Sequence, residues 1–211
     1  MSLVLAIDTS TDVRVGLADD GAVLASAAVT DPRAHAEQLM PLIQDTLAHA
    51  GRSLAEVESI VVGVGPGPFT GLRVGVATAQ TLGLVLGVEV RGACSLDAVA
   101  AAHQATGEFV ALSDARRKEV YWARYAPGGA RLAGPFVTPA AELPDLPVVG
   151  PGAALAGGEP TPLDGGVLAT AGAALPDEGL SPLYLRRPDA AVPTTRKSTL
   201  LQPRLSLGKR R

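Results

Sequence analysis

The chain is poor in the residues that most often carry chemistry. It has one cysteine, Cys94, in 211 residues, which excludes an internal disulfide and any metal cluster held by thiolates alone. That usage fits a reducing compartment, and a cytoplasmic protein is expected. Aromatic side chains make up 3% of the chain, too few for the stacking platforms that bind single-stranded nucleic acid. Ala, Val and Leu must fill the core instead. The three histidines, His35, His49 and His103, are scattered, so no metal site is expected. No Gly-Lys-Ser/Thr closes a glycine-rich loop, which excludes a Walker A phosphate cradle. The opening MSLVLAID has no basic stretch and meets an acid at Asp8, unlike a secretory leader. An apolar stretch near residues 72–88 is interrupted by Thr78, Gln80 and Thr81 and bounded by Arg73 and Glu89. A core or interface helix is expected there, and no membrane span.

What is present describes a folded body. Hydrophobic residues make up 47%, mean hydropathy is +0.25, and 211 residues suffice for one large domain or two small ones. Charge is uneven. Six of the 18 basic side chains (Arg196, Lys197, Arg204, Lys209, Arg210 and Arg211) lie in residues 190–211, which contain no acid. The rest is therefore acidic, which argues against broad nucleic-acid binding by the folded part. The tail is read as a solvated terminus.

The most informative segment is GPGPFTGLR, Gly65 to Arg73. Three glycines and two prolines stand between the apolar run Ser59–Val64 and a helix-like stretch. Glycine opens backbone angles closed to other residues, and proline locks φ. A stiff loop of definite shape is expected at a strand end, with free N–H groups where a helix begins. Such a place suits an anion or the close approach of another backbone.

Around it the pattern is α/β. Leu3–Ile7 reads as a buried strand ending in the polar turn Asp8-Thr9-Ser10-Thr11-Asp12. Val13–Leu17 and Ala22–Val29 alternate as two more strands joined at Asp19-Asp20-Gly21, an antiparallel meander. Asp31-Pro32 is expected to start a helix carrying the stripe Leu39, Leu42, Ile43, Leu47, stopped by Gly51. Further elements are expected at 59–64 (strand), 70–86 (helix), 89–91 (strand) and 95–104 (helix capped by Ser95). A second unit has strands at 109–112 and 119–125, a return near Arg131-Leu132, a strand at 148–149 before a Gly-Pro-Gly turn, and a small-residue helix at 166–175. The segment Pro182–Pro188 closes the ordered part. The expected units are 1–104, with the interface helices, 105–189, whose last segment is expected to pack back on the first, and a disordered tail 190–211.

Leu72, Val74, Val76, Ala79, Leu82, Leu84, Val85 and Leu86 point all round the 70–86 helix, so it should be covered on both sides. Gly75, Ala77, Ala79 and Gly83 would let another helix come close. A subunit contact is one way to cover it, and full burial within the monomer is the other. Expected contact residues are His35, Leu39, Leu42, Ile43, Arg73, Val76, Gln80 and Leu82. Arg73 is a candidate for touching a partner or an anion, or else for a surface salt bridge.

Four blocks carry a resemblance: MSLVLAIDTST, HAEQLMPLI, SIVVGVGPGPFTGLRVGVATAQTLG and DARRKEVYWARY. Together they resemble the TsaB (YeaZ) family of bacterial proteins that make threonylcarbamoyladenosine on tRNA, over residues 1–188. The resemblance implies an actin-like ATPase fold (the ASKHA, ribonuclease H-like class) of two lobes, each a mixed sheet with helices. It implies a non-catalytic subunit. In this family the metal-bearing paralogue TsaD transfers the threonylcarbamoyl group to N6 of adenosine 37 in tRNAs reading ANN codons. The ATPase TsaE joins the assembly, and the subunit alone forms homodimers. tRNA is met mainly through the complex.

Departures from the fold's motifs agree with a helper role. The paralogue's metal-binding His-x-x-x-His pair has no counterpart near Cys94-Ser95-Leu96-Asp97-Ala98. Actin-like ATPases use an Asp-x-Gly turn whose carboxylate holds hydrated Mg²⁺. Here Ser10 replaces the glycine, and its β-carbon should crowd the phosphates. Arg116 departs likewise in Ser113-Asp114-Ala115-Arg116. Asp8, Thr11, Asp114 and Gly152 are thus expected to form a degenerate nucleotide site, with no cofactor required and room for ATP or ADP at a partner interface. Pro68 stands where many relatives have serine. It removes an N–H and favours a rigid docking surface over an anion cradle in the loop Gly65, Gly67, Pro68, Phe69, Thr70, Gly71. The competing readings are a small ATPase or kinase using Asp8 and Asp114, and a peptidase, for which Ser10 and Cys94 lack a histidine at a telling spacing.

Overall fold

Strand β1 (Leu3–Asp8) sets the plan of the molecule, because both its faces are buried. In the computed structural model, which describes residues 2–31 and 35–186, it lies at the centre of a five-stranded sheet. Strands β2 (Val13–Asp19) and β3 (Ala22–Val29) follow it antiparallel, and β4 (Ser59–Gly63) and β5 (Glu89–Ala93) run parallel to it on the other side. The order is β3-β2-β1-β4-β5. Side chains alternate across a strand. Leu3, Leu5 and Ile7 therefore meet helices α1 (His35–His49) and α2 (Phe69–Leu86), in a core shared with Val13, Val15, Leu17, Ile60 and Val62. Ala6 faces the opposite side, where α3 (Ser95–Ala101) and α4 (Gly165–Ala171) lie between this sheet and a second one.

The second sheet has the order β8-β7-β6-β9: β6 (Phe109–Asp114), β7 (Glu119–Tyr125), β8 (Arg131–Pro139) and β9 (Val148–Val149). Phe109, Ala111, Ala123 and Tyr125 face α3 and α4, while Val110, Leu112 and Val120 form a small outer cluster with Trp122 and Leu146. The fold is therefore the α/β, two-lobed actin-like arrangement of two mixed sheets with helices. Helix α4 packs on the first sheet, and its small residues are what allow it. A β-carbon on Gly16 would stand 2.0 Å from the Gly165 carbonyl oxygen.

Several expectations need correction. The described part of α1 begins at His35, and the expected start, with Asp31 as cap and Pro32 in the first turn, falls on residues 32–34, outside the described ones. Pro41 lies inside α1. Strand β8 is nine residues long where two were expected, because Gly134 and Pro135 interrupt its pattern; as an edge strand it tolerates both. The cap of α3 is Cys94, not Ser95. Helix α2 is long and apolar enough to cross a bilayer, but Val76, Ala79 and Leu82 are buried in the first core and Leu72 is buried as well. It is not covered on both sides: Leu84 and Val85 are 85% and 74% exposed. The basic tail lies outside the described residues.

Candidate functional site

The glycines of the central loop are there because another backbone comes close. The loop leaves β4, with the Val64 N–H donating to Ala93 O, and enters α2 after Pro68. Its facing neighbour is the turn after β1. A β-carbon on Gly67 would meet Ser10 O at 2.5 Å, one on Gly71 would meet Thr9 O at 2.5 Å, and one on Gly75 would meet Thr9 Oγ1 at 2.2 Å. The Thr9 hydroxyl donates to Gly71 O at 2.8 Å. Gly71 and Gly75 are four residues apart in α2, so one face of the helix lies directly on the turn, and Gly67 brings the loop against it just before the helix begins. Of the two uses expected for this loop, close backbone approach is the one its glycines serve.

Asp8 sits under that contact, fully buried. Its Oδ1 accepts from the Ser10 N–H (2.8 Å) and the Ser10 hydroxyl (2.6 Å), and its Oδ2 accepts from the Ser95 hydroxyl at 2.5 Å. Ser95 Oγ in turn accepts from the Gly65 N–H at 3.2 Å. Burial raises the Asp8 carboxyl above its ordinary value, opposed by these hydrogen bonds. The carboxylate thus ties the ends of β1 and β4 to the start of α3. It does not open into solvent, where a hydrated metal ion would need it.

Between the lobes lies a cleft of about 740 Å³. The β1–β2 turn supplies Ser10 and Thr11; α1 and α2 supply His35, Phe69, Thr70 and Gly71; the second sheet supplies Asp114, Arg116 and Tyr121. Of the four expected nucleotide-site residues, Thr11 and Asp114 reach this cleft. Asp8 is turned inward, and Gly152 is packed against Leu112, Ser113 and Asp114 away from it. Among the described residues no group of three or more His, Cys, Asp and Glu side chains could hold a metal. Arg116, Arg117 and Lys118 all have positive φ (63°, 55° and 66°), an uncommon run for residues with a β-carbon.

The segment 180–186, expected to pack back on the first unit, crosses the cleft mouth. The Leu183 N–H donates to Val64 O at 2.8 Å. Tyr184 stacks on Phe69 with centroids 4.6 Å apart, and Arg73 lies 3.7 Å over Phe69 while its Nε donates to the Tyr184 hydroxyl. On the far side Arg186 donates to Ala115 O and pairs with Glu119 at 2.5 Å. Arg73 is therefore engaged within the chain by rings and a hydroxyl, rather than by a salt bridge. The clue available was the position of one of the few tyrosines, in the last ordered segment.

The residues expected at a subunit contact divide in two. Leu39, Ile43, Val76 and Leu82 are buried in the chain's own core, and His35 is buried at the wall of the cleft. Leu42 is half-buried, and Arg73 and Gln80 are exposed. The open side of α2 carries Arg73, Ala77, Gln80, Thr81, Leu84 and Val85, so two of the four residues expected on this helix lie on it and Val76 and Leu82 do not.

The chain is similar to known proteins over most of its length. A family model described as TsaD, tRNA N6-adenosine threonylcarbamoyltransferase, matches residues 24–159. An uncharacterized protein of Mycobacterium tuberculosis is 44% identical over 90% of this chain and 94% of its own length. The tRNA threonylcarbamoyladenosine biosynthesis protein TsaB of Escherichia coli is 41% identical over 58% of this chain and 54% of its own. The solved structure of YeaZ from Pseudomonas aeruginosa superposes with a TM-score of 0.70 at 29% identity, covering 88% of this chain and all of that one.

Proposed function

The chain belongs to the TsaB/YeaZ branch of the TsaD family, and on that premise we propose that it serves tRNA threonylcarbamoyladenosine biosynthesis as a non-catalytic subunit. It docks a TsaD-like catalytic partner that transfers the threonylcarbamoyl group to N6 of adenosine 37, and the pair recruits a TsaE-like ATPase. Alone the chain forms a homodimer, and it acts in the cytoplasm.

The observation that supports a helper role best is the position of Asp8. An actin-like ATPase or kinase needs that carboxylate at the cleft, beside the metal and phosphates. Here three hydrogen bonds from Ser10 and Ser95 occupy it inside the protein. A peptidase reading fares no better, since Cys94 is buried and its thiol is pushed up to about 12 by burial. The docking surface in this proposal is the open face of α2. Arg73 and Gln80 belong to it with Leu84 and Val85, while Leu39, Val76 and Leu82 support it from below.

The test is reconstitution. Co-expression with the catalytic partner should give a stable complex by sizing, and tRNA modification should stop when either protein is omitted. Leu84→Asp should weaken the complex while the isolated chain stays folded. Sustained turnover of Mg-ATP by the isolated chain, abolished by Asp8→Asn, would overturn the proposal.

A further inference from the structure

The turn joining β6 to β7 holds three cations in succession, Arg116, Arg117 and Lys118, and all three are exposed. Each has a positive φ (63°, 55° and 66°), a conformation that crowds a β-carbon and that Gly, Asn or Asp adopts with less penalty. A chain that needed only to reverse direction here would be better served by those residues. The turn is held firmly all the same. The Arg116 N–H donates to Asp114 Oδ1 at 2.6 Å, the Ala115 N–H to Glu119 O at 3.0 Å, the Glu119 N–H to Arg116 O at 3.0 Å, and the Ala140 N–H to Lys118 O at 3.4 Å. Long cationic side chains thus stand on a fixed base. Arg117 and Lys118 belong neither to the cleft lining nor to the open face of α2.

A second observation is the place where the described chain ends. Arg186 donates to Ala115 O at 2.7 Å and pairs with Glu119, so it clasps the turn from both sides. The sequence that follows therefore starts from the basic turn. Residues 190–211 hold six basic side chains, no acid and no aromatic residue. At the turn itself, Asp114 accepts from the Arg116 N–H and Glu119 is taken by Arg186; Glu142, two residues beyond the Ala140 that braces the turn, is the next acid. The rest of the chain has the opposite sign. The net charge is −3 overall although residues 190–211 contribute +6, so the remainder carries −9.

From these observations we propose that the β6–β7 turn and the basic segment that begins beside it form one contact for the phosphodiester backbone of RNA. The proposal rests on the tRNA role given above, and it names the part of this chain that meets the tRNA. An acidic body repels a polyanion, so this edge is where RNA approaches, and the charge pattern sets which side of the chain faces it. Arginine and lysine neutralise phosphates without reading bases, and residues 190–211 offer no aromatic surface for stacking. Binding is therefore independent of base sequence and strongly weakened by salt.

The experiment is fluorescence anisotropy of an end-labelled, unmodified tRNA transcript titrated with the full chain at low and at fourfold higher KCl, with labelled polyglutamate in parallel. The higher salt should weaken RNA binding about a hundredfold, the loss for about four phosphate contacts. Arg117→Gln combined with Lys118→Gly should lower the salt slope by about 1 for each cation removed and weaken binding about tenfold at low salt. The melting temperature should not fall in that variant, because glycine takes the positive φ of position 118 freely. Replacing the six basic residues of 190–211 by glutamine should weaken binding further. No partner protein is needed, so a failure here leaves the docking proposal standing, whereas RNA binding without any effect of the chain on tRNA modification would count against that proposal alone. No binding of tRNA at low salt, unchanged affinity in the Arg117 and Lys118 variant, or a fall in its melting temperature would overturn the inference. Polyglutamate bound as tightly as tRNA would do so too, by pointing to an acidic protein surface instead.

Discussion

Replacing Ser95 with alanine tests the structural account of Asp8 most directly. The hydroxyl makes two buried contacts: it donates to Asp8 Oδ2 at 2.5 Å and accepts from the Gly65 N–H at 3.2 Å. The neutral contact is worth about 1 kcal/mol, and the contact to an ionised carboxylate about 1.5–3 kcal/mol. The loss should therefore depend on whether Asp8 is charged. Burial raises the folded-state pKa of Asp8 above its ordinary value of 3.8. The unfolded chain then releases the proton first, so this group's contribution is fully present below pH 3.8 and fades as pH rises through the folded value. The Ser95 hydrogen bond pulls the folded value back down. Removing it lets the value climb, and the variant loses more stability with rising pH than the parent. The expected difference is about 1 kcal/mol at pH 4, growing to about 2–4 kcal/mol once Asp8 is ionised in the parent, which is a fall in melting temperature of roughly 5–15 °C. Urea unfolding followed by circular dichroism between pH 4 and 8.5 measures it. In an Asp8→Asn background the effect of Ser95→Ala should be small and flat with pH. A pH-independent loss in the parent, or the same slope in both backgrounds, would refute the argument.

Gly67→Ala should cost about 2–3 kcal/mol, since the new β-carbon meets the Ser10 carbonyl oxygen at 2.5 Å and backbone cannot swing aside; Gly107→Ala, with nothing within 4 Å, should be near neutral, and chemical denaturation compares them. Val76→Asp should unfold the chain by about 3 kcal/mol or more, because the carboxylate would enter the core, whereas Leu84→Asp should leave the melting temperature within about 2 °C and show its effect only in complex formation by sizing. Cys94, its thiol pushed up to about 12 by burial, should resist a thiol reagent in the native chain at pH 8 and react at the rate of unfolding; fast native labelling would place it nearer the surface than the structure does.

Most of the framework could be read from the order of residues because local pattern and tertiary role agree. Leu3–Ile7 is apolar throughout because α1 and α2 cover one face and α3 and α4 the other. Asp19-Asp20-Gly21 turns the meander as its composition requires, with Asp20 and Gly21 both at positive φ. The loop before α2 was legible as a shape, but not its purpose, since a glycine reports only that something is near. The something is the turn at Thr9 and Ser10, some sixty residues earlier. Helix α2 misled for a related reason. Composition told that it was apolar on every side, but which side α1 and the sheet cover depends on rotation about the axis. Of the contact residues expected on it, Val76 and Leu82 face inward, while Arg73 and Gln80 face out with Leu84 and Val85.

Ser10 acts in the fold by a different physics from the one its place in the sequence suggests. Read in sequence, a serine in place of glycine crowds the phosphates with a β-carbon. In the fold, its hydroxyl and its N–H both hold Asp8 Oδ1, and Ser95 holds Oδ2 from the other side. Nothing bulky intrudes; the carboxylate has been taken out of the cleft and used as a brace. Gly63 belongs to the same arrangement, since a β-carbon there would fall 1.7 Å from Asp8 Oδ2. The brace stiffens the place where β1, β4, the glycine loop and α3 converge, and α2 leaves from that place with its open face outward. The interactions that hold Asp8 inside the protein are thus the ones that fix the direction in which α2 leaves. Drawing the Asp8 carboxylate out of this arrangement would loosen the root of α2, because the same hydrogen bonds serve both.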